Sequence, residues 1–159
     1  MAADQEMRER ILNSVPQQKP FRFIDEIVEL DDDHIIGAYR FCEDEYFYQG
    51  HFPDRPITPG VILIEAMAQT GVVALGLYLT LKYNGAVAEG SPKLTTLFTF
   101  ADGVEFSGIV IPGERVIIRG EKVYFRKGSL KTKVSMEREN GEMVCVGLLA
   151  GTGVTLYDK

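Results

Sequence analysis

One histidine and one glutamate in the middle of the chain have side chains that could transfer protons. His51 lies in a loop whose freedom is limited by three prolines, Pro53, Pro56 and Pro59. Glu65 lies further along, and it is the only charged residue between Val61 and Leu81. A carboxylate in so apolar a segment needs a partner or a proton, because an unpaired buried charge costs several kcal/mol.

The two groups are suited to opposite tasks. An imidazole titrates near neutral pH, so His51 is a candidate general base. Apolar surroundings raise a carboxyl pKa, which would make Glu65 a proton donor. On a helix Glu65, Gln69 and Val72 share one face, so the amide of Gln69 can hydrogen-bond the carboxyl of Glu65 and orient it.

The start of the same helix offers a third group. The backbone N–H groups of Gly60 and Val61 lack partners within the helix, and the helix dipole makes that end positive. A carbonyl oxygen bound there would be polarised, and the enolate formed by loss of a neighbouring proton would be stabilised. Together, base, acid and oxyanion site describe proton abstraction next to a carbonyl with departure of a β-hydroxyl.

Ordinary structural roles are open for the same residues. His51, beside Phe52, could simply stabilise the loop, and Glu65 could complement the helix dipole. Cys42 and Cys145 are expected to be packing residues, since their spacing is neither a disulfide framework nor a metal-ligand set.

The segment from 60 to 83 is predicted to be one long helix that is apolar on all sides. Its length would span a membrane, but Glu65, Gln69, Gly71 and Gly76 argue against that alternative. A helix of this kind is otherwise surrounded by protein. One sheet can hardly cover it, so a second copy of the chain is expected to cover the rest and form a homodimer.

The remaining chain alternates as antiparallel strands do, which predicts an α+β fold in a single domain, residues 1–159. A short helix is expected within residues 1–15, followed by a hairpin of strands 21–30 and 34–42 around the acidic turn 31–33. Four further strands are expected at 94–102, 115–126, 129–137 and 143–156. Asn140-Gly141 is the strongest hairpin signal, and residues 85–92 form a loop.

Composition limits the functional classes. A net charge of −6 over 159 residues gives no support for nucleic-acid binding, and 45% hydrophobic with 25% charged residues is ordinary for a globular protein. The acidic N-terminal residues do not resemble a signal peptide, and two cysteines fit a reduced compartment. A cytoplasmic protein with neither nucleic acid nor membrane as partner is expected.

The central motif resembles a known family. Gly50-His-Phe-Pro-x-x-Pro-x-x-Pro-Gly-Val61, followed by Glu65-Ala-Met-Ala-Gln69, is similar to the signature of the 3-hydroxyacyl-[acyl-carrier-protein] dehydratases of bacterial fatty acid synthesis. Weaker matches are Phe21-x-Phe-Ile-Asp25 and Val110-x-Pro-Gly113. The resemblance implies the hot-dog fold, in which an antiparallel sheet wraps a long central helix, and a dimer that can assemble further into trimers of dimers.

The resemblance also implies a reaction: loss of water from a (3R)-hydroxyacyl thioester on acyl carrier protein, giving the trans-2-enoyl product in fatty acid or related lipid or polyene biosynthesis. His51 would remove the C2 proton and Glu65 of the other subunit would protonate the leaving hydroxyl. Gly60, with Val61, would bind the thioester oxygen, and Gln69 would support Glu65. No metal or other cofactor is expected, since a thioester already acidifies its α-carbon.

Two segments depart from the family pattern. Pro16-Gln-Gln-Lys-Pro20 stands where the family usually has a histidine and a basic residue, and Ala101–Gly108 lacks Lys and Arg where the acidic carrier would dock. A specialised carrier or pathway is therefore open. So are two other functions of the same fold, an acyl thioesterase in which Glu65 directs water, and a non-catalytic acyl-binding subunit.

Overall fold

A computed structural model describes residues 1–84 and 94–155. Helix α1 is Gln5–Ser14, and a long central helix consists of α2 (Gly60–Ala68), a π-helical segment (Gln69–Ala74) and α3 (Leu75–Asn84). The strands are β1 (Glu26–Leu30), β2 (His34–Arg40), β3 (Leu94–Phe106), β4 (Arg115–Arg126), β5 (Ser129–Arg138) and β6 (Met143–Thr155). The predicted loop 85–92 lies outside the described residues.

The six strands form one antiparallel sheet in the order β1-β2-β4-β5-β6-β3. The central helix packs across the sheet, with its π-helical segment contacting β2, β4, β5 and β6. The predicted α+β, hot-dog architecture is confirmed. β3 is an edge strand, and its other edge has no neighbour among the described residues.

Apolar side chains fill the space between helix and sheet in two clusters. One surrounds the first half of the central helix and includes Phe23, Phe41 and Met67, all fully buried. The other surrounds the second half and is closed by α1, whose Ile11 is 2% exposed. The first cluster thus surrounds the part of the central helix that contains Glu65 and Gln69.

The central helix has the length and composition of a membrane span. Its residues Gly60–Tyr83 contain a window of mean hydropathy 1.7, but 67% of that window is buried inside the protein. Core helices give the same signal, and the burial favours a core helix here.

Two predicted elements differ from the structure. Residues 21–25 are not a strand, because the backbone groups of Phe21 and Phe23 bond to the Gln69 side chain. The central helix is not purely α-helical, since it widens into the π-helical segment where it crosses the sheet. The Asn140-Gly141 hairpin is confirmed, with Gly141 at φ +91° and Arg138 N–H donating to the Glu142 carbonyl.

The helix approaches the sheet most closely at Gly71. A Cβ built on Gly71 would lie 2.6 Å from a methyl of Val134, and one built on Gly120 of β4 would lie 3.0 Å from the Cα of Gly71. Such separations are shorter than van der Waals contact, so neither position has room for a side chain.

This close approach predicts that two glycine-to-alanine substitutions in the central helix change the free energy of unfolding in opposite directions. Gly71→Ala should lower the free energy of unfolding by about 1–3 kcal/mol through overpacking. Gly76→Ala, where the new Cβ would have only a Leu130 methyl at 3.7 Å, should raise it by about 0.4–1 kcal/mol. Urea denaturation of both variants at one protein concentration would show this. Equal effects would contradict the tight contact at Gly71.

Candidate active site

The loop that carries His51 is held by its own backbone. His51 N–H donates to the Phe47 carbonyl at 3.1 Å, and Ile57 N–H donates to the His51 carbonyl at 3.0 Å. The buried hydroxyls of Tyr48 and Thr58 hydrogen-bond at 2.7 Å across the same loop. The imidazole therefore projects from a loop whose conformation is held by these hydrogen bonds.

The protonation pattern of the His51 ring follows from its neighbour. Nδ1 lies 3.0 Å from the Ile57 carbonyl oxygen, which can only accept. Nδ1 therefore carries the hydrogen, and in the neutral ring the lone pair belongs to Nε2. The ring stacks on Phe52 with centroids 4.2 Å apart. In this tautomer Nε2 is the ring nitrogen that can accept a proton.

Glu65 is oriented by Gln69, as the spacing of four residues predicts. The Gln69 side chain is fully buried, and its Oε1 accepts the Phe23 N–H at 2.7 Å. Its Nε2 must then face the other way, where it donates to the Phe21 carbonyl at 2.9 Å and to Oε1 of Glu65 at 3.0 Å. All the polar atoms of this amide have partners.

The state of the Glu65 carboxyl follows from these contacts. Burial raises its pKa above the ordinary value of 4.5, while the hydrogen bond from Gln69 acts in the opposite direction. Because Oε1 already accepts a hydrogen bond, the proton of the acid form resides on Oε2. In its acid form Glu65 therefore has its O–H group on the oxygen that Gln69 does not occupy.

The raised pKa predicts how stability depends on pH. A carboxyl whose pKa is higher in the folded state contributes stability below its unfolded value near 4.5 and loses it as pH rises through the folded pKa. Glu65→Gln should therefore be more stable than wild type at about pH 8, with the difference shrinking at about pH 4. Denaturant titrations at fixed protein concentration test this, with Glu6→Gln as an exposed control. A difference that does not change with pH would contradict it.

A cavity of about 170 Å³ adjoins Glu65. Its lining residues come from the helix, from β3 and from the loop after α1: Gln17, Glu65, Ala68, Val72, Val73, Thr96, Leu97 and Phe98. A smaller apolar cavity continues along α3, sharing Val72, Val73 and Thr96 and reaching Gly128 and Gly153. The space could hold a linear apolar chain. His51 does not line either cavity of this subunit.

The start of the central helix leaves two amides free. The Pro59 carbonyl accepts from Ile62 and Leu63 N–H, whereas Gly60 and Val61 N–H have no acceptor among the described residues. A Cβ on Gly60 would lie 3.0 Å from the ring of Phe106, so a side chain there would have to displace that ring. The Val61 side chain is 72% exposed. An oxyanion can therefore approach these N–H groups.

Two contributions were not expected from the sequence. The segment Phe21–Phe23 anchors Gln69, and Gln17 lines the cavity beside Glu65 although it was noted only as a departure from the family pattern. Neither has a local signal, because each contact joins residues far apart in the chain. Within the part of the chain that the structure describes, no cluster of His, Cys, Asp and Glu could hold a metal ion.

Comparisons with known proteins agree with the motif. The family model described as FabA-like domain matches residues 15–147. The 3-hydroxyacyl-[acyl-carrier-protein] dehydratase FabZ of Caldicellulosiruptor bescii is 34% identical over 142 residues, covering 89% of this chain and 94% of that protein. The enzyme of the same name from Roseiflexus sp. is 38% identical over 145 residues, covering 89% and 92%.

Solved structures show the same fold at low identity. A dehydratase heterocomplex, ApeI:P from Xenorhabdus doucetiae, matches with a TM-score of 0.74 at 14% identity, covering 91% of each chain. A thioesterase from Pseudomonas aeruginosa matches with a TM-score of 0.62 at 12% identity, covering 93% of this chain and 94% of its own. The fold thus carries both chemistries, and the sequence relatives decide the family. The chain belongs to the FabA-like family, together with the 3-hydroxyacyl-[acyl-carrier-protein] dehydratases FabZ.

Proposed function

We propose that the protein is a hydro-lyase that removes water from (3R)-3-hydroxyacyl thioesters on acyl carrier protein, giving trans-2-enoyl thioesters in fatty acid or related lipid biosynthesis. The observation that carries this proposal is the half-buried Glu65 carboxyl, held by Gln69 beside an apolar cavity with its pKa raised. A carboxyl with a raised pKa keeps its proton to higher pH than an ordinary glutamate, which suits a group that must protonate a leaving hydroxyl. The FabZ relatives support the same reaction.

In the proposed mechanism each group has one task. Nε2 of His51 takes the proton from C2, and the electron pair of that C–H bond forms the C2=C3 double bond. The C3–O bond breaks as Oε2 of Glu65 protonates the leaving oxygen, so that water departs. The Gly60 and Val61 N–H groups hold the thioester oxygen, where negative charge develops. Transfer of the proton from His51 back to Glu65 through solvent completes the cycle.

A homodimer would complete this site. β3 is a 13-residue edge strand, and long exposed edges are normally covered. Four of its large apolar side chains are 41–52% exposed: Leu97, Phe98, Phe100 and Phe106. Leu97 and Phe98 also line the cavity beside Glu65. A second copy covering β3 would therefore close that cavity and could supply its own His51, which supports catalysis by residues from two subunits.

A thioesterase is the second candidate, because a thioesterase shares the fold. Glu65 would then direct a water molecule at the thioester carbon, and Nε2 of His51 would have no role in the reaction. The relatives favour dehydration, whereas the two free backbone N–H groups would serve either reaction. The cytoplasm is the proposed location, in keeping with two free cysteines.

The test is an assay with synthetic (3R)-3-hydroxyacyl thioesters of graded chain length, each presented on acyl carrier protein and on coenzyme A. Enoyl absorbance should rise without release of free thiol. Thiol release without enoyl formation would identify a thioesterase, and binding without turnover of any substrate would identify an acyl-binding subunit. Either result would refute the proposed function.

A further inference from the structure

The two cavities beside the central helix lie along one face of that helix. Val72, Val73 and Thr96 line both of them, so the cavities adjoin each other. The helix residues along this face follow one another at spacings of three or four, which places them in a single stripe. In order from the acid they are Glu65, Ala68, Val72, Gly76 and Thr80. The smaller cavity therefore continues the larger one along the helix and away from Glu65.

Gly76 keeps the smaller cavity open. A Cβ built on Gly76 would have a methyl of Leu130 at 3.7 Å and no closer contact outside its own helix. Leu130 also lines the cavity, so a side chain at position 76 would project into the cavity space between helix and sheet. A glycine inside a helix is destabilising relative to alanine, and here, unlike at Gly71, no close contact requires it. What the missing side chain provides is the space itself.

The smaller cavity has the character of a site for the end of a hydrocarbon chain. None of the described residues that line it is charged. Its volume of about 30 Å³ has room for roughly two groups of methyl size. A chain that enters from the larger cavity would therefore end here, in contact with Gly76 and Leu130.

We propose that the smaller cavity binds the methyl end of the acyl chain and that Gly76 sets the longest chain that the enzyme accepts. This inference rests on the proposed function, in which the 3-hydroxyl of the substrate lies at Glu65. At 1.5 Å per residue, Gly76 lies about 16 Å further along the helix axis. An extended chain advances about 1.2 Å per single bond, so its end reaches Gly76 about 13 bonds beyond C3. Substrates of about 14–16 carbons therefore extend into both cavities, whereas an eight-carbon substrate ends in the larger one.

The test compares Gly76→Leu with Tyr83→Leu on hydroxyacyl substrates of eight and sixteen carbons, both presented on acyl carrier protein. Gly76→Leu should lower kcat/KM for the sixteen-carbon substrate by about 10–100-fold, because the new side chain occupies the space of the chain end. The eight-carbon substrate does not reach position 76, so its kcat/KM should stay within about twofold of wild type. Tyr83 is 59% exposed on the same helix and lines neither cavity, so Tyr83→Leu should change neither value.

Gly76→Ala keeps the test decisive if leucine at this position prevents folding. It adds one carbon to the cavity wall and should lower the sixteen-carbon value about fourfold, the effect of one methylene, with the eight-carbon value unchanged. Equal losses for the two substrates, or no loss for either, would show that position 76 does not set chain length. A wild-type enzyme that dehydrates the eight-carbon but not the sixteen-carbon substrate would place the chain end elsewhere. Each of these results overturns the inference while dehydration stands, whereas absence of dehydration at every chain length overturns the proposed function itself.

Discussion

His51→Ala and Glu65→Gln should each lower kcat/KM for dehydration of a 3-hydroxyacyl thioester by about 10²–10⁴-fold. The first substitution removes the only imidazole in the motif loop, and the second replaces an acid by an amide of the same shape that cannot give up a proton. Both variants should fold, since His51 projects from a braced loop and Gln69 can still hydrogen-bond an amide oxygen at position 65. Circular dichroism and enoyl absorbance measure the two properties.

Co-expression of the two inactive variants distinguishes a site shared between two subunits from a site within one chain. If each site takes His51 from one subunit and Glu65 from the other, a mixed dimer contains one intact site and one that lacks both groups. Random pairing makes about half of the dimers mixed, so co-expression should restore about a quarter of wild-type activity. Each variant expressed alone is the control. Absence of restoration would mean that both groups act within one chain.

Gln69→Met should have the largest effect on stability. It removes the partners of the Phe23 N–H, the Phe21 carbonyl and the Glu65 carboxyl at one buried position. Each buried group left unpaired costs about 1–3 kcal/mol, so the three groups together predict a loss of about 3–9 kcal/mol in the free energy of unfolding. Denaturant titration measures it, with the exposed Gln49→Met as control. A loss no larger than that of the control would contradict the anchoring role of Gln69.

The same substitution should shift the pH dependence of activity. The Gln69 hydrogen bond lowers the pKa of Glu65, so its removal should raise that pKa further. The proposed role of Glu65 is that of the acid, which must be protonated, so activity should fall as pH rises through its pKa. The alkaline limb of kcat should therefore move to higher pH in Gln69→Met. An unmoved limb would show that Glu65 does not govern it.

Features with local signals were predictable from the sequence. The apolar run after Gly60 indicated the central helix, and Asn140-Gly141 indicated the β5–β6 turn. The hydrogen bond between Glu65 and Gln69 followed from helical spacing. Each of these features is set by residues within a few positions of one another, so residue propensities and helix or turn geometry are enough to predict it.

Features set by distant contacts were not predictable. Phe21–Asp25 alternates as a strand does, but the Gln69 side chain occupies the backbone groups that a strand partner would need. The π-helical widening coincides with the close approach of Gly71 to Val134 and Gly120. The buried oxygen of Gln17 depends on a loop and a strand meeting far along the chain. No window of sequence contains these pairs.

The Gln69 amide connects the segment Phe21–Phe23 to the carboxyl of Glu65, so a change at either one affects the other. Two of its three bonds go to Phe21 and Phe23 and the third to Glu65. Thermodynamic linkage then requires that displacement of the segment change the proton affinity of Glu65, and that titration of Glu65 change the stability of the segment by an equal amount. A compound that displaced the segment from the helix would therefore change the proton affinity of Glu65 without entering the cavity beside it.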